Sequence, residues 1–454
     1  MAQQQDTADG SAARRERFPG FVYVVAALGG LSGILYGYDT ASMSGALPLL
    51  SDEFGLGPSA QGLVTSMLLF GALPAIIAAT AASRRVDRRT LLLLAAAIFV
   101  VGSIGSALSP NPQVLLAFRF VLGFAAGIAN QFGLIYVSEL APARLRGMLT
   151  GTYQLAVNVG FMVAYLVGAG FTPEGQWEWI LGLGAVPAGV FGIGMLVAPK
   201  SPRWLVARGR PDTARTVLRR LRATRAEADQ EVADIEASLR QQQAGLRELA
   251  RGAYRPAITL ALVLTFFQVF TGINSVIYYS PILFEHVTGG LSAGTVANYS
   301  VGSGLVISTA IALPLIDRVG RVRLLKISLA GQVVPCLVIA AVPHITWLAL
   351  AAVFVYTFAF GIGLGPVFWL LCPEILPLRA RAIGMGVITF TQYLLNAISS
   401  GLFPDALALM GTWVFLIFAA LSALAVWVVR RYVPETSRLT LEDIETHWRH
   451  RAAS

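Results

Sequence analysis

The sequence predicts an all-α integral membrane protein with twelve transmembrane helices, arranged as two six-helix bundles with cytoplasmic helices between them. Three observations predict it: a composition too apolar for a soluble chain, twelve apolar stretches of spanning length, and motifs in the first half that recur in the second. Of 454 residues, 56% are apolar and 13% charged, and the mean hydropathy is +0.66. A soluble chain carries about a quarter charged residues. The 45 glycines fit the same class, because Gly lets membrane helices approach closely.

In chain order, residues 1–20 form a polar cytoplasmic tail. That tail lacks an apolar core ending in a cleavage site, so the first span is retained as a helix. The N-terminal bundle occupies 21–198, with spans near 21–50, 60–82, 90–109, 112–138, 147–172 and 177–198. A hydrophilic linker follows at 199–255, where Ala214, Val217, Leu218 and Leu221 have helical spacing. It reads as short amphipathic helices under the membrane domain, with Ala226–Arg247 as its mobile part. The C-terminal bundle occupies 256–432, with spans near 256–286, 292–316, 323–344, 346–373, 382–409 and 411–432, and residues 433–454 form a second tail.

The formal net charge of +9 invites a nucleic-acid reading, which the placement of the charges excludes. Every one of the 34 Lys and Arg except Arg119 falls in the tails, the linker or the loops of one side. The opposite loops hold Asp52, Glu53, Glu174, Glu178, Glu285 and Asp405 instead. By the positive-inside rule both termini and the linker are cytoplasmic, in a multi-pass protein of the cell's inner membrane. Cys336 and Cys372 sit in separate spans and read as small packing residues. The four histidines are scattered, and no catalytic triad, metal set or phosphate loop is present. The chain is therefore expected not to be an enzyme, to need no cofactor or metal, and to work as a monomer in the lipid bilayer. Asn298-Tyr299-Ser300 matches a glycosylation sequon, which reads here as accidental.

The halves repeat. Glu139, Pro142, Arg144 and Arg146 recur as Glu374, Pro377, Arg379 and Arg381 at an offset of 235. Pro199 to Arg203 recurs at the same offset as Pro434 to Arg438, and Arg85-Val86-Asp87-Arg88 recurs as Arg318-Val319-Gly320-Arg321. Two parallel six-helix repeats place a substrate site at their interface, near the midplane.

Asp39 and Arg119 are the acid and base deep within the spans. An isolated ion there is costly, so the two are expected to meet, or to alternate between meeting and separating. The bland reading is a permanent pair locking helix one to helix four. The sharper one is a proton switch, because burial raises a carboxylate's pKa and a nearby guanidinium lowers it. Arginine suits the fixed charge, since it does not titrate in the accessible range.

Uncharged polar groups collect in other spans: Gln268, Asn274 and Tyr278 in span seven, Gln154 and Asn158 in span five, Gln392 and Asn396 in span eleven. Gly272 and Pro281 allow a break in span seven, and Gly361, Gly363 and Gly365 loosen span ten before Trp369. Amides both donate and accept, as a neutral polyhydroxylated ligand requires, and an indole face suits the C–H face of a sugar ring. A lone amide can equally be interhelical glue. Several helices contributing together favour a pocket. At the cytoplasmic ends, Arg85, Arg88, Glu139, Arg144 and Arg146 face Asp317, Arg318, Arg321, Glu374, Arg379 and Arg381 as a gate network, holding the halves together while the site faces outward.

These motifs together resemble the sugar porter family of the major facilitator superfamily over nearly the whole chain. The resemblance rests on Gly37-Tyr38-Asp39, Arg119 with Gly123, Glu139 to Gly147, Ser201 to Leu205, Gln268 to Tyr279, Asp317 to Arg321, Gly365-Pro366 with Trp369, Pro373-Glu374, and Pro434-Glu435-Thr436. It implies proton-coupled symport with Asp39 as proton carrier and Arg119 as its partner. It also implies sugar contacts at Tyr36, Gln154, Gln268, Asn274, Trp369 and Gln392. Departures from the family pattern are Val269 for a second glutamine, Tyr393 for a tryptophan, no asparagine near Val306-Ile307-Ser308, Arg84 for an Asp, Asp87 for a Gly, and Lys200 for a Glu. The expected function is import of a monosaccharide or related polyol with a proton. The alternatives are a passive facilitator of the same fold and a transporter-like sensor.

Overall fold

The computed structural model describes residues 20–142, 146–222, 224–240, 255–288, 291–376 and 381–435. In the first half, α1 (Gly20–Phe54), α2 (Pro58–Ala82), α3 (Arg88–Ala107), α4 (Pro112–Leu140) and α5 (Arg146–Phe171) each cross once. The sixth span is broken into α6 (Trp177–Gly182) and α7 (Ala185–Val197). Ten described stretches are long and apolar enough to span a membrane; the last, Ile383–Tyr432, holds two helices, and α1 adds the first span, which makes twelve.

Three short helices follow: α8 (Pro202–Ala207), α9 (Pro211–Leu218) and α10 (Arg225–Arg240). They close around Leu205, Ala214, Leu218, Ala228 and Val232. Mobility was expected from residue 226 onward, but 226–240 belong to a packed helix, because Ala228 and Val232 supply an apolar stripe that the Glu-rich composition hides. Residues 241–247 lie outside the described residues. Arg222 fastens this cluster to the membrane domain. Its guanidinium donates to the carbonyls of Leu140 and Ala141 at the end of α4 and pairs with Glu231. A cation is favourable there, where the last carbonyls of a helix lack intrahelical partners.

The second half repeats the plan. Its first span is α11 (Arg255–Phe270) followed by α12 (Ile273–Thr288), and then come α13 (Leu291–Val319) and α14 (Arg321–Ala341). Span ten is α15 (Thr346–Ile362) plus α16 (Leu364–Ile375), before α17 (Arg381–Met410) and α18 (Val414–Tyr432). The break in span seven falls at Gly272, whose φ of +97° is a left-handed conformation that glycine adopts without a Cβ clash. Pro281, the other suggested breakpoint, lies inside α12. Within the halves α1 packs on α5, α2 on α4, α13 on α15 and α14 on α18. Between them α2 meets α17, α5 meets α13 and α1 meets α12. The tightest crossing inside the first half is α2 on α4, where a Cβ at Gly123 would fall 1.9 Å from the Leu68 carbonyl oxygen.

Candidate functional site

Asp39 and Arg119 are buried, at 5% and 0% exposure, and Arg119 Nη1 lies 3.4 Å from Asp39 Oδ1. Asp39 Oδ2 and Arg119 Nε have no hydrogen-bond partner among the described residues. The pair is therefore joined by one long contact, with hydrogen-bonding capacity left over on both sides. A buried pair this incompletely satisfied recovers only part of its desolvation cost.

Beside it, between the halves, lies a cavity of about 1620 Å³. Its wall includes Tyr36, Gln154, Gln268, Asn274, Trp369 and Gln392. Asp39 stands just behind that wall: Tyr36 and Thr40, one turn before it and one residue after it on α1, line the cavity. Gln268 Oε1 and Asn274 Nδ2 are buried and unpaired, which leaves one acceptor and one donor for a ligand in the cavity.

Tyr278 and Asn396, also expected at the site, are not on the wall. Tyr278 is 1% exposed and packs edge-on against Tyr279. After the break at Gly272, α12 turns Ile273, Asn274 and Ile277 toward the cavity and leaves Tyr278 to one side. Asn396 lies one turn beyond Gln392, where α17 approaches α2, and its Oδ1 accepts from Ser400 Oγ at 3.0 Å.

Asn130, Tyr153 and Asn158 line the cavity as well. Tyr153 donates to Asn130 Oδ1 at 2.5 Å, and Asn130 Nδ2 donates across the halves to the Tyr393 hydroxyl at 2.7 Å. Asn158 Nδ2 reaches Thr309 Oγ1 of the opposite half at 2.7 Å. Asn130 had a signal in the sequence: it stands eleven residues after Arg119, a spacing that returns to the same helix face.

The cavity runs from these amides to the exposed Arg84 and Arg85 and to Arg88, so it opens at the end that carries the basic loops. At the acidic end the halves are closed on each other. Ser44 of α1 and Ser280 of α12 both donate to Asn298 Oδ1, at 2.8 and 2.7 Å. Asn298 is thus a buried joint, which agrees with an accidental sequon. Ser59 also donates to Asp405, and a Cβ at Gly62 would lie 2.0 Å from the Gly401 carbonyl oxygen.

The gate residues at the basic end pair within each half. Arg88 meets Glu139 at 3.2 Å, and Glu139 accepts from the Ser201 hydroxyl. Arg321 meets Glu374 at 3.5 Å. Arg85 and Arg318 are exposed and Arg381 is half-buried. Burial pulls the Arg381 guanidinium below its ordinary value, and Glu374 opposes that shift. Arg144 and Arg379 lie outside the described residues, as do the side chains of Arg146 and Asp317.

Residues 22–448 match the family model described as sugar (and other) transporter. The chain belongs to the sugar (and other) transporter family. Among curated members it is 39% identical to the putative metabolite transport protein YwtG of Bacillus subtilis (strain 168), covering 92% of this chain and 93% of that one. It is 35% identical to the galactose-proton symporter of Escherichia coli (strain K12), covering 93% of each. Among solved structures, the inward-open conformation of the xylose transporter XylE from E. coli aligns with a TM-score of 0.80 at 27% identity, covering 94% of this chain and all of that one. XylE bound to 6-bromo-6-deoxy-D-glucose aligns with a TM-score of 0.79 at 27% identity, covering 94% and 99%. The sugar transporter family thus accounts for the twelve-span fold with cytoplasmic-type helices between its halves.

Proposed function

We propose that this chain is a proton-coupled symporter that imports a monosaccharide, hexose or pentose, or a related polyol, by alternating access. It acts as a monomer in the inner membrane with both termini cytoplasmic. The observation that carries this reading is the loosely joined Asp39–Arg119 pair directly behind the wall of a cavity rich in amides. The named relatives that carry galactose, xylose or arabinose, several of them with protons, support it. The basic end is the cytoplasmic one by the charge rule, so the cavity here faces inward.

The geometry supports the following cycle. With the site facing outward, separation of Asp39 from Arg119 leaves the carboxylate to take a proton, which removes a buried charge. Sugar hydroxyls bind Gln268, Asn274, Gln154 and Gln392 while the Trp369 face covers the ring. Closure of the outer end brings Gly62 onto Gly401 and opens the basic end. There the guanidinium returns to Asp39 Oδ1 and competes with the proton for the same oxygen, so proton and sugar leave on the cytoplasmic side. The single-chain cavity needs no second copy, which supports a monomer.

The test is uptake into proteoliposomes across hexoses, pentoses and inositols, with and without an imposed proton gradient. Accumulation of at least one sugar above its external level is expected only with the gradient. Equal uptake with and without it would support the passive facilitator instead, and no uptake of any of them would overturn the pocket argument.

A further inference from the structure

Both halves hold a carboxylate against the first turn of their third membrane helix, but the two carboxylates come from different parts of the chain. In the second half, Gly320 precedes α14 with φ +97°, and Glu435, which follows α18, reaches over it. Glu435 Oε1 accepts from the Arg321 amide at 3.0 Å and Oε2 from the Val322 amide at 3.2 Å. In the first half the position matching Gly320 is Asp87, with an ordinary φ of −69°. Its own side chain accepts from the amide of Arg89, the second residue of α3, and from the Ser201 amide, each at 3.2 Å. The position matching Glu435 is Lys200, whose ammonium lies 5.9 Å from the Trp204 ring.

An acid and a non-acid have therefore traded places between the same two positions. A helix N-terminus, with unpaired amides and a positive dipole end, favours one nearby negative charge, and a second carboxylate there would repel the first. We propose that Asp87 and Lys200 are a compensating exchange. Asp87 does for α3, from α3's own chain, what Glu435 does for α14 from a distant segment, and it is thereby the positioning residue of the Arg88–Glu139–Ser201 cluster. The connection is direct. Asp87 is bonded to Arg88 in the chain, and by holding the Ser201 amide it sets the Ser201 hydroxyl on Glu139. Burial pushes the Asp87 carboxyl above its ordinary range, and the Ser201 and Arg89 amides pull it back, which marks how closely it is enclosed.

Amide hydrogen exchange of the full chain in detergent tests this without any substrate, so its failure is distinct from a failure of the symporter reading. A lost cap is worth about 1 kcal/mol, so Asp87→Gly should speed exchange in peptides covering 88–92 and 201–206 by about fivefold. Adding Lys200→Glu to Asp87→Gly should return that exchange to within about twofold of the parent, whereas Lys200→Glu alone should not slow it. Unchanged exchange in Asp87→Gly, or a double variant that exchanges as fast as the single one, overturns the proposal. If Asp87→Gly does not fold, recovery of folded protein by the double variant supports the exchange of roles, and failure to recover overturns it.

Discussion

Replacing Arg119 alone leaves the Asp39 carboxylate buried without a countercharge, a change that costs about 3–5 kcal/mol where one partner of a buried pair is removed. Removing both charges avoids that penalty. Arg119→Gln should therefore lower the thermal unfolding midpoint of the purified protein, and Asp39→Asn with Arg119→Gln should recover most of it. If the double variant recovers none of the loss, the pair is not what makes Arg119 tolerable at 0% exposure. Asp39→Asn alone should keep sugar exchange across proteoliposomes and lose accumulation driven by a proton gradient. At the sugar wall, Gln268→Ala removes one neutral partner worth about 1 kcal/mol, so KM for uptake should rise by about fivefold with kcat less affected. The charged pair was legible in the sequence because a charge in an apolar run has few partners to choose from. Asn130 was not singled out, since a lone amide in a membrane helix reads as glue, and only the fold shows it bridging Tyr153 and Tyr393 at the cavity. Asn396 shares a one-turn spacing with Gln392, and Tyr278 joins Gln268 and Asn274 on one face only through a break in span seven; the break that forms leaves Tyr278 off the cavity wall, and Asn396 lies off it as well.

The interrupted spans and the close glycine crossings decide which end can open. Gly272 and Gly363 interrupt spans seven and ten, so Gln268 lies about one turn before one break and Trp369 nearly two turns after the other, both on the cavity wall. The lone Gly272 in span seven and the run Gly361, Gly363 and Gly365 in span ten make both interruptions readable from the sequence. Span six breaks at Leu183-Gly184, where Gly182 and Gly184 give the same signal, but glycines recur all along that span and do not single out the site, while Pro281 suggests a break where α12 continues. A helix buried among others can carry a proline because its neighbours satisfy the freed backbone groups. At the acidic end α2 and α17 touch through backbone at Gly62 and Gly401. Gly62→Trp should hold that end apart, stop net uptake and leave the cavity reachable from outside. Thiol labelling of a cysteine placed at Ser66 from the external face should rise; unchanged labelling would mean that α2 and α17 do not form the outer closure.

Across the molecule, two halves joined mainly at the α2–α17 and α5–α13 crossings hold a cavity between them, and the repeat that defines them is visible as three motif pairs in register. What the repeat could not show was the state: the same motifs serve a chain open at either end, and only the seated Ser44, Ser59 and Asn298 contacts reveal an acidic end that is shut. The size of the cavity has a consequence of its own. At about 1620 Å³ it exceeds the usual range of about 300–1,000 Å³ for a small-molecule site, so a bound sugar shares it with on the order of tens of water molecules at roughly 30 Å³ each. Closing the basic end must return most of that water to bulk, and the cycle is therefore a hydration reaction as well as a rearrangement. Osmolytes too large to enter the cavity, such as a polyethylene glycol, should favour the shut form. Labelling of a cysteine at Ala81 from the cytoplasmic face should then fall as osmotic pressure rises, and a flat response would mean that closure releases little water.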